Sequence, residues 1–204
     1  MISIIVISGL ILGLFLRKII NIISLKINYK AEKKRIGFYD YLIVFITCTV
    51  VLISFFKFGL SLLFFKAMFL DCILIVVSFI DFQHEIIPNS IVIVTLLVGI
   101  VFTFICDISF ESAIFGMLVG GGILFLLALV PNSMGGGDIK LMFVLGSFLG
   151  TQKILTALFL AFIFAATISF LLLVFKIKGR KDYIPFGPFI AIGCFVSFHV
   201  IFLL

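Results

Sequence analysis

Apolar residues run along the chain in long blocks, not in alternation or one-sided stripes. Eight such segments can be drawn, at about 2–24, 41–56, 66–80, 89–106, 111–130, 138–150, 154–175 and 184–204. A bilayer core about 30 Å thick takes about 20 helical residues, and backbone in lipid must satisfy its own hydrogen bonds. The pattern therefore predicts an all-α polytopic membrane protein with about eight spans. Segments 66–80 and 138–150 are short, and the second is expected to be a half-span or a short tilted helix. No Pro-, Ser- or Gly-rich linker divides the chain, so a single membrane domain over residues 1–204 is expected.

Composition hardens this picture. Of 204 residues 64% are hydrophobic, the mean hydropathy is +1.47, and 15 Lys and Arg face 9 Asp and Glu. Soluble domains are about 45–50% apolar and about 25% charged. A soluble globular domain, a disordered chain, a collagen-like chain and a small disulfide scaffold are excluded. The four cysteines, Cys48, Cys72, Cys106 and Cys194, form no CxxC pair and read as buried thiols. No ligand spacing for a metal is present.

The charges also orient the chain. With the N-terminus outside, the inner loops 17–40, 81–88, 131–140 and 176–183 hold 12 of the 15 basic residues. The outer loops hold Lys57, Lys66 and Lys153. Basic residues mark the cytoplasmic side, so both termini are expected outside. Residues 1–16 carry no side-chain charge and seven basic residues follow within 17–35. A secretory signal peptide has the opposite order, and segment one is read as a retained anchor. The net charge of +6 therefore speaks for a membrane surface and not for nucleic acid.

Five of the nine acids have plain structural readings. Glu32 lies in a basic loop, Asp40 can cap a helix, Asp107 and Glu111 lie on an outer loop, and Asp182 sits among Lys178, Arg180 and Lys181. Asp71 lies inside a span five residues after Lys66. It can pair with Lys66, reach water, or serve a function, since ionisable groups within spans are functional candidates.

Asp81, Glu85 and Asp138 remain. Asp81 closes segment three, and Pro88 suits the first turn of the next helix. Asp138 follows Gly135, Gly136 and Gly137, which let another chain approach closely, and a helix is expected to start at about Asp138. Two whole spans separate Asp81 from Asp138, so both are expected at the cytoplasmic boundary. Two close carboxylates in a partly desolvated place cannot easily both ionise. One then acts on a water as general base while the other polarises a carbonyl oxygen, which is aspartic peptide hydrolysis. Taken singly, each residue also reads as an ordinary helix-end acid.

Four ordered stretches carry a resemblance. Gly135-Gly136-Gly137-Asp138-Ile139-Lys140-Leu141, the run from Asp81 to Pro88 with Asn89 after it, Gly146-Ser147-Phe148-Leu149-Gly150, and Ile184-Pro185-Phe186-Gly187-Pro188-Phe189 together resemble the type IV prepilin peptidases, of the GxGD group of intramembrane aspartyl proteases. The resemblance covers about residues 66–204 and is weaker over 1–65, where Gly9 to Arg17 is similar to the family's first helix. It implies that Asp81 and Asp138 are the catalytic pair. The implied reaction removes the basic leader of prepilin- or pseudopilin-like precursors at the cytoplasmic face. Gly135, Gly136, Gly137, Lys140, His84, Glu85, Pro88, Pro185 and Gly187 are then substrate-binding or supporting residues. Each has a structural alternative: an interfacial anchor for Lys140, a wet loop for His84 and Glu85, and helix starts for the prolines. Gly120, Gly121 and Gly122 read as helix packing.

Many bacterial members carry a large loop after helix one with two CxxC pairs that bind zinc. Here a short basic loop, 17–40, stands in its place, and zinc is not implied. No cofactor is implied for peptide hydrolysis, and S-adenosylmethionine enters only if the family's methyl transfer is retained. Two other readings stay open: a proton- or ion-coupled carrier built around Asp71, and a membrane assembly subunit without catalysis.

Overall fold

A computed structural model of the chain describes residues 2–27, 37–106, 109–131, 134–179 and 182–200. Among these described residues seven helices follow in order: α1 (Ile2–Ile27), α2 (Phe38–Phe58), α3 (Leu62–His84), α4 (Asn89–Ile105), α5 (Phe110–Ala128), α6 (Gly136–Val174) and α7 (Gly187–His199). No strand occurs among the described residues. The helices α1, α2, α3, α5 and α6 are each long and apolar enough to cross a membrane, and α4 and α7 are shorter apolar helices. The protein is an all-α, multi-pass membrane protein. It divides into two compact units, the first ending at His84 and the second beginning at Glu85.

The first unit packs α1, α2 and α3 together. Its core joins Ile5, Val51, Phe55 and Phe64, with Phe55 and Phe64 edge to face at 6.2 Å. Large apolar side chains such as Leu14, Phe15, Phe45 and Phe56 point outward. On a water-exposed protein such a surface would aggregate; against acyl chains it is matched.

Two boundaries differ from the hydropathy reading. Helix α1 runs on through Arg17, Lys18 and Lys26 to Ile27, so much of the expected loop 17–40 is helix. Lys and Arg are good helix formers and can extend their charged ends to the interface. Helix α3 extends at both ends of the expected segment 66–80, because Lys66, Asp71 and Asp81 are buried within it. A hydropathy window treats Lys66 and Asp81 as ends. Asp71 accepts a hydrogen bond from the Ser54 hydroxyl of α2 at 2.9 Å, and Lys66 is 1% exposed.

The acids with plain readings divide. Asp40 stands in the first turn of α2, where it accepts from the Gly37 N–H at 2.8 Å and from Arg17 Nε at 2.9 Å. Glu111 stands in the first turn of α5. Asp182 accepts from the Gly179 N–H at 2.7 Å. Glu32 and Asp107 lie outside the described residues. Of the cysteines, Cys106 and Cys194 are buried, and Cys48 and Cys72 are half-buried.

The second unit is organised by α6, which contacts α4, α5 and α7. Inside α6, Gly150 has φ 71° and ψ −179°, a backbone region essentially reserved for glycine. A Cβ placed on Gly120 of α5 would meet Met142 O at 2.8 Å and Ile154 Cγ1 at 2.9 Å. A straight helix would hold residues 142 and 154 about 18 Å apart. Helix α6 therefore folds back at Gly150 into two arms, 136–149 and 151–174. They are the two segments the hydropathy pattern separates at about 150–154.

Small residues permit the fold-back. A Cβ on Gly146 would collide with the backbone of Gly116 and Met117, so the bend and α5 approach backbone to backbone. Ser112 of α5 then holds the start of the second arm. Its Oγ accepts from the Thr151 N–H at 3.1 Å, and its carbonyl accepts from the Thr151 hydroxyl at 3.1 Å. Helix α7 lies along the second arm, where a Cβ on Gly193 would collide with Ala157 O. Gly120 and Gly121 are packed as expected, but Gly122 faces open space, since it points away from α6 on the same helix.

Candidate active site

Asp81 belongs to the first unit and stands in the last turn of α3, which ends at His84. Its residue is 3% exposed. The chain leaves the helix through Glu85, which adopts φ 56°, a left-handed conformation that costs a non-glycine residue free energy and recurs at functional turns. His84 is half-buried and Glu85 exposed. Pro88 is the residue before α4, with φ −65° and ψ 133°, so it caps the helix and does not form its first turn. Extended backbone there lets the Pro88 carbonyl accept from the Ile91 N–H at 3.1 Å.

Asp138 belongs to the second unit. Gly135 precedes α6, and Gly136 and Gly137 open it, so Asp138 is its third residue. The helix starts two residues earlier than expected because Gly136 and Gly137 are already helical, while Gly135 is extended at φ −76° and ψ 139°. Asp138 is 4% exposed. The first turn of a helix favours an acidic side chain, through its N–H groups and dipole.

Three contacts within the second unit build the surroundings of Asp138. A Cβ on Gly137 would sit 3.0 Å from Ile87 Cβ, so the segment before Pro88 lies directly on the glycine run. Lys140 donates from Nζ to Asn89 Oδ1 at 3.1 Å, which joins the first arm of α6 to the start of α4. A Cβ on Gly135 would lie 3.0 Å from Asp138 Oδ2 and 3.8 Å from Tyr183 Oη. The turn after α6 therefore returns to the start of the same helix, as the bend at Gly150 requires. Pro185 and Gly187 are buried at the entry to α7, where they shape the helix start.

The motif reading missed Tyr183. Its only signal is its place, one residue before Ile184-Pro185. Asn89 stood at the end of the Asp81–Pro88 run, without any sign that it meets Lys140.

The comparisons with known proteins bear on the same stretch. The family model described as the type IV leader peptidase family matches residues 68–170, just over half of the chain and inclusive of Asp81 and Asp138. The chain belongs to the type IV leader peptidase family. Proteins named prepilin leader peptidase/N-methyltransferase are similar to it. The one from Stutzerimonas stutzeri is 31% identical over 125 residues, covering 58% of this chain and 43% of that protein. The one from Xanthomonas campestris pv. campestris is 28% identical over 164 residues, covering 77% and 57%. The one from Bacillus subtilis is 29% identical over 146 residues, covering 70% and 58%. The chain spans about half the length of the curated relatives it matches. No solved structure matches it significantly.

Proposed function

We propose that this member of the family is a membrane-embedded endopeptidase. It removes the basic leader of prepilin- or pseudopilin-like precursors, with Asp81 and Asp138 activating the attacking water. The observation that carries the reading is the family match over 68–170: of the three aspartates buried there, Asp71, Asp81 and Asp138, Asp71 takes the Ser54 hydroxyl inside the first unit, while Asp81 and Asp138 stand at helix ends in the motif runs. A buried carboxylate is costly and persists in a span where it serves a site.

In this mechanism one carboxylate takes a proton from water as general base, and the water oxygen adds to the scissile carbonyl carbon. The other carboxyl, protonated at the outset, donates to the carbonyl oxygen. Collapse of the tetrahedral intermediate breaks the C–N bond, and the leaving amine takes up the proton held by the base. The two protonation steps belong to the pair and not to either residue. Gly136, where a Cβ would meet nothing within 4 Å, leaves room for an extended substrate backbone beside Asp138, and exposed Glu85 offers charge to a basic leader.

The face is inferred from charge within the second unit. Lys178 donates from Nζ to the Tyr183 carbonyl at 2.7 Å, and the Tyr183 phenol lies beside Gly135. The basic end of α6 and the Asp138 end are thus the same end. Basic residues favour the cytoplasmic side, which supports cleavage there and both termini outside.

The relatives' names include N-methyltransferase. Among the described residues, the buried hydroxyls of Thr47, Thr95, Thr103, Ser147 and Ser197 all donate to backbone carbonyls. We derive no methyl-transfer step. Purified protein incubated with a precursor tests the whole reading. Mass spectrometry should show leader loss with wild type and none with Asp81→Asn or Asp138→Asn. Near wild-type cleavage by either variant would overturn the pair.

A further inference from the structure

We propose that Tyr183 is a substrate-binding residue of the Gly135–Asp138 site, its phenol hydrogen-bonding the backbone of an extended peptide laid over Gly135. The inference rests on the peptidase reading and adds a residue that none of the motifs contains.

The geometry is local to the second unit. The side chain that Gly135 lacks would lie 3.0 Å from Asp138 Oδ2 and 3.8 Å from Tyr183 Oη. A side chain there would press on the carboxylate, so glycine is what lets the Asp138 carboxylate and the Tyr183 phenol stand together over the backbone of residue 135. A polypeptide in extended form brings N–H and C=O groups that must be paired once water is displaced. A phenol can donate to a C=O or accept from an N–H.

Tyr183 is also held in place by its backbone while its side chain stays accessible. The Gly179 N–H donates to Asp182 Oδ2 at 2.7 Å, and the Asp182 N–H donates to the Gly179 carbonyl at 3.2 Å. Lys178 Nζ donates to the Tyr183 carbonyl at 2.7 Å. Pro185 is buried two residues on. The Tyr183 residue is nevertheless 49% exposed. A tyrosine has few rotamers to lose, so a fixed, exposed one makes contact at low entropic cost.

The test uses the full-length chain in detergent micelles and a fluorescent peptide spanning a leader junction. Cleavage gives kcat and KM for wild type, Tyr183→Phe and Tyr183→Ala. Anisotropy gives Kd for the same peptide in an Asp138→Asn background with and without each Tyr183 change. Tyr183→Phe should raise Kd and KM about three- to tenfold, the loss of one hydrogen bond, with kcat within about twofold. Tyr183→Ala should raise Kd further by removing the ring. An unchanged Kd in Tyr183→Phe overturns the proposal, and so does a fall in kcat with Kd unmoved, which would assign the phenol to the Asp138 carboxyl. If wild type binds the peptide without cleaving it, the peptidase reading fails and the Kd series still decides Tyr183. If wild type does not bind it, both fail.

Discussion

Lys140 reaches across 51 positions of sequence to donate a hydrogen bond to Asn89 at 3.1 Å. The bond ties the residue two places after Asp138 to the residue just after Pro88. It therefore fixes the start of α4 against the start of α6, where Ile87 already rests on Gly137. A residue that looked like an interfacial anchor is a strut between two of the motifs.

Lys140→Met should lower kcat/KM for leader cleavage by about three- to tenfold, the worth of a single solvent-exposed hydrogen bond. The protein should still insert and unfold at close to the wild-type temperature, because the bond is exposed. Lys140→Arg, which keeps a donor, should recover part of the rate. Parallel cleavage kinetics and thermal unfolding in detergent check this.

Gly150→Ala should be poorly tolerated. A side chain at φ 71° and ψ −179° costs on the order of 1–3 kcal/mol, and the fold-back of α6 depends on that conformation. The expected result is a lowered unfolding temperature and faster proteolysis near the bend. Thr151→Val should show a milder form, since it removes only the hydroxyl bond to the Ser112 carbonyl. Wild-type stability in Gly150→Ala would mean that α6 does not bend as described.

Asp71→Leu separates the carrier reading from a structural one. The Asp71 carboxylate accepts from Ser54 within the first unit, so its loss leaves a buried hydroxyl with one partner fewer and costs about 1–3 kcal/mol. The unfolding temperature should drop, while cleavage per folded molecule stays within about twofold of wild type, as expected for a residue used in packing. A cleavage rate that collapses with stability intact would place Asp71 in the chemistry.

Asp40→Ala should destabilise more than Arg17→Ala. The pair is close at 2.9 Å but part-exposed, and such pairs contribute about 0–1 kcal/mol. Asp40 also accepts from the Gly37 N–H, so its removal strips the start of α2 of a cap worth about 1 kcal/mol. High salt should erase most of the Arg17→Ala effect and little of the Asp40→Ala effect.

Several features were legible without coordinates because they depend on neighbours in sequence. Apolar blocks place helices in lipid whatever else they touch, so α1, α2, α4 and α5 fall near their expected positions. The Asp81 and Asp138 motifs were readable for the same reason, since each is a short run of glycine, proline and acid. The ends of α3 were not, because Lys66 and Asp81 count as breaks until a fold buries them.

The sequence by itself determined the class of protein, the two candidate acids and the charge bias that orients them. The sequence also separated segments 138–150 and 154–175, but only the tertiary structure decided that the turn between them is made by the backbone of Gly150 alone, with no loop. The same holds for Lys140 meeting Asn89 and for Tyr183 standing beside Gly135. Hydropathy and motif spacing are local properties of a chain. Which side chains share a slot depends on how helices distant in sequence pack, and here that rests on missing side chains at Gly116, Gly146 and Gly150.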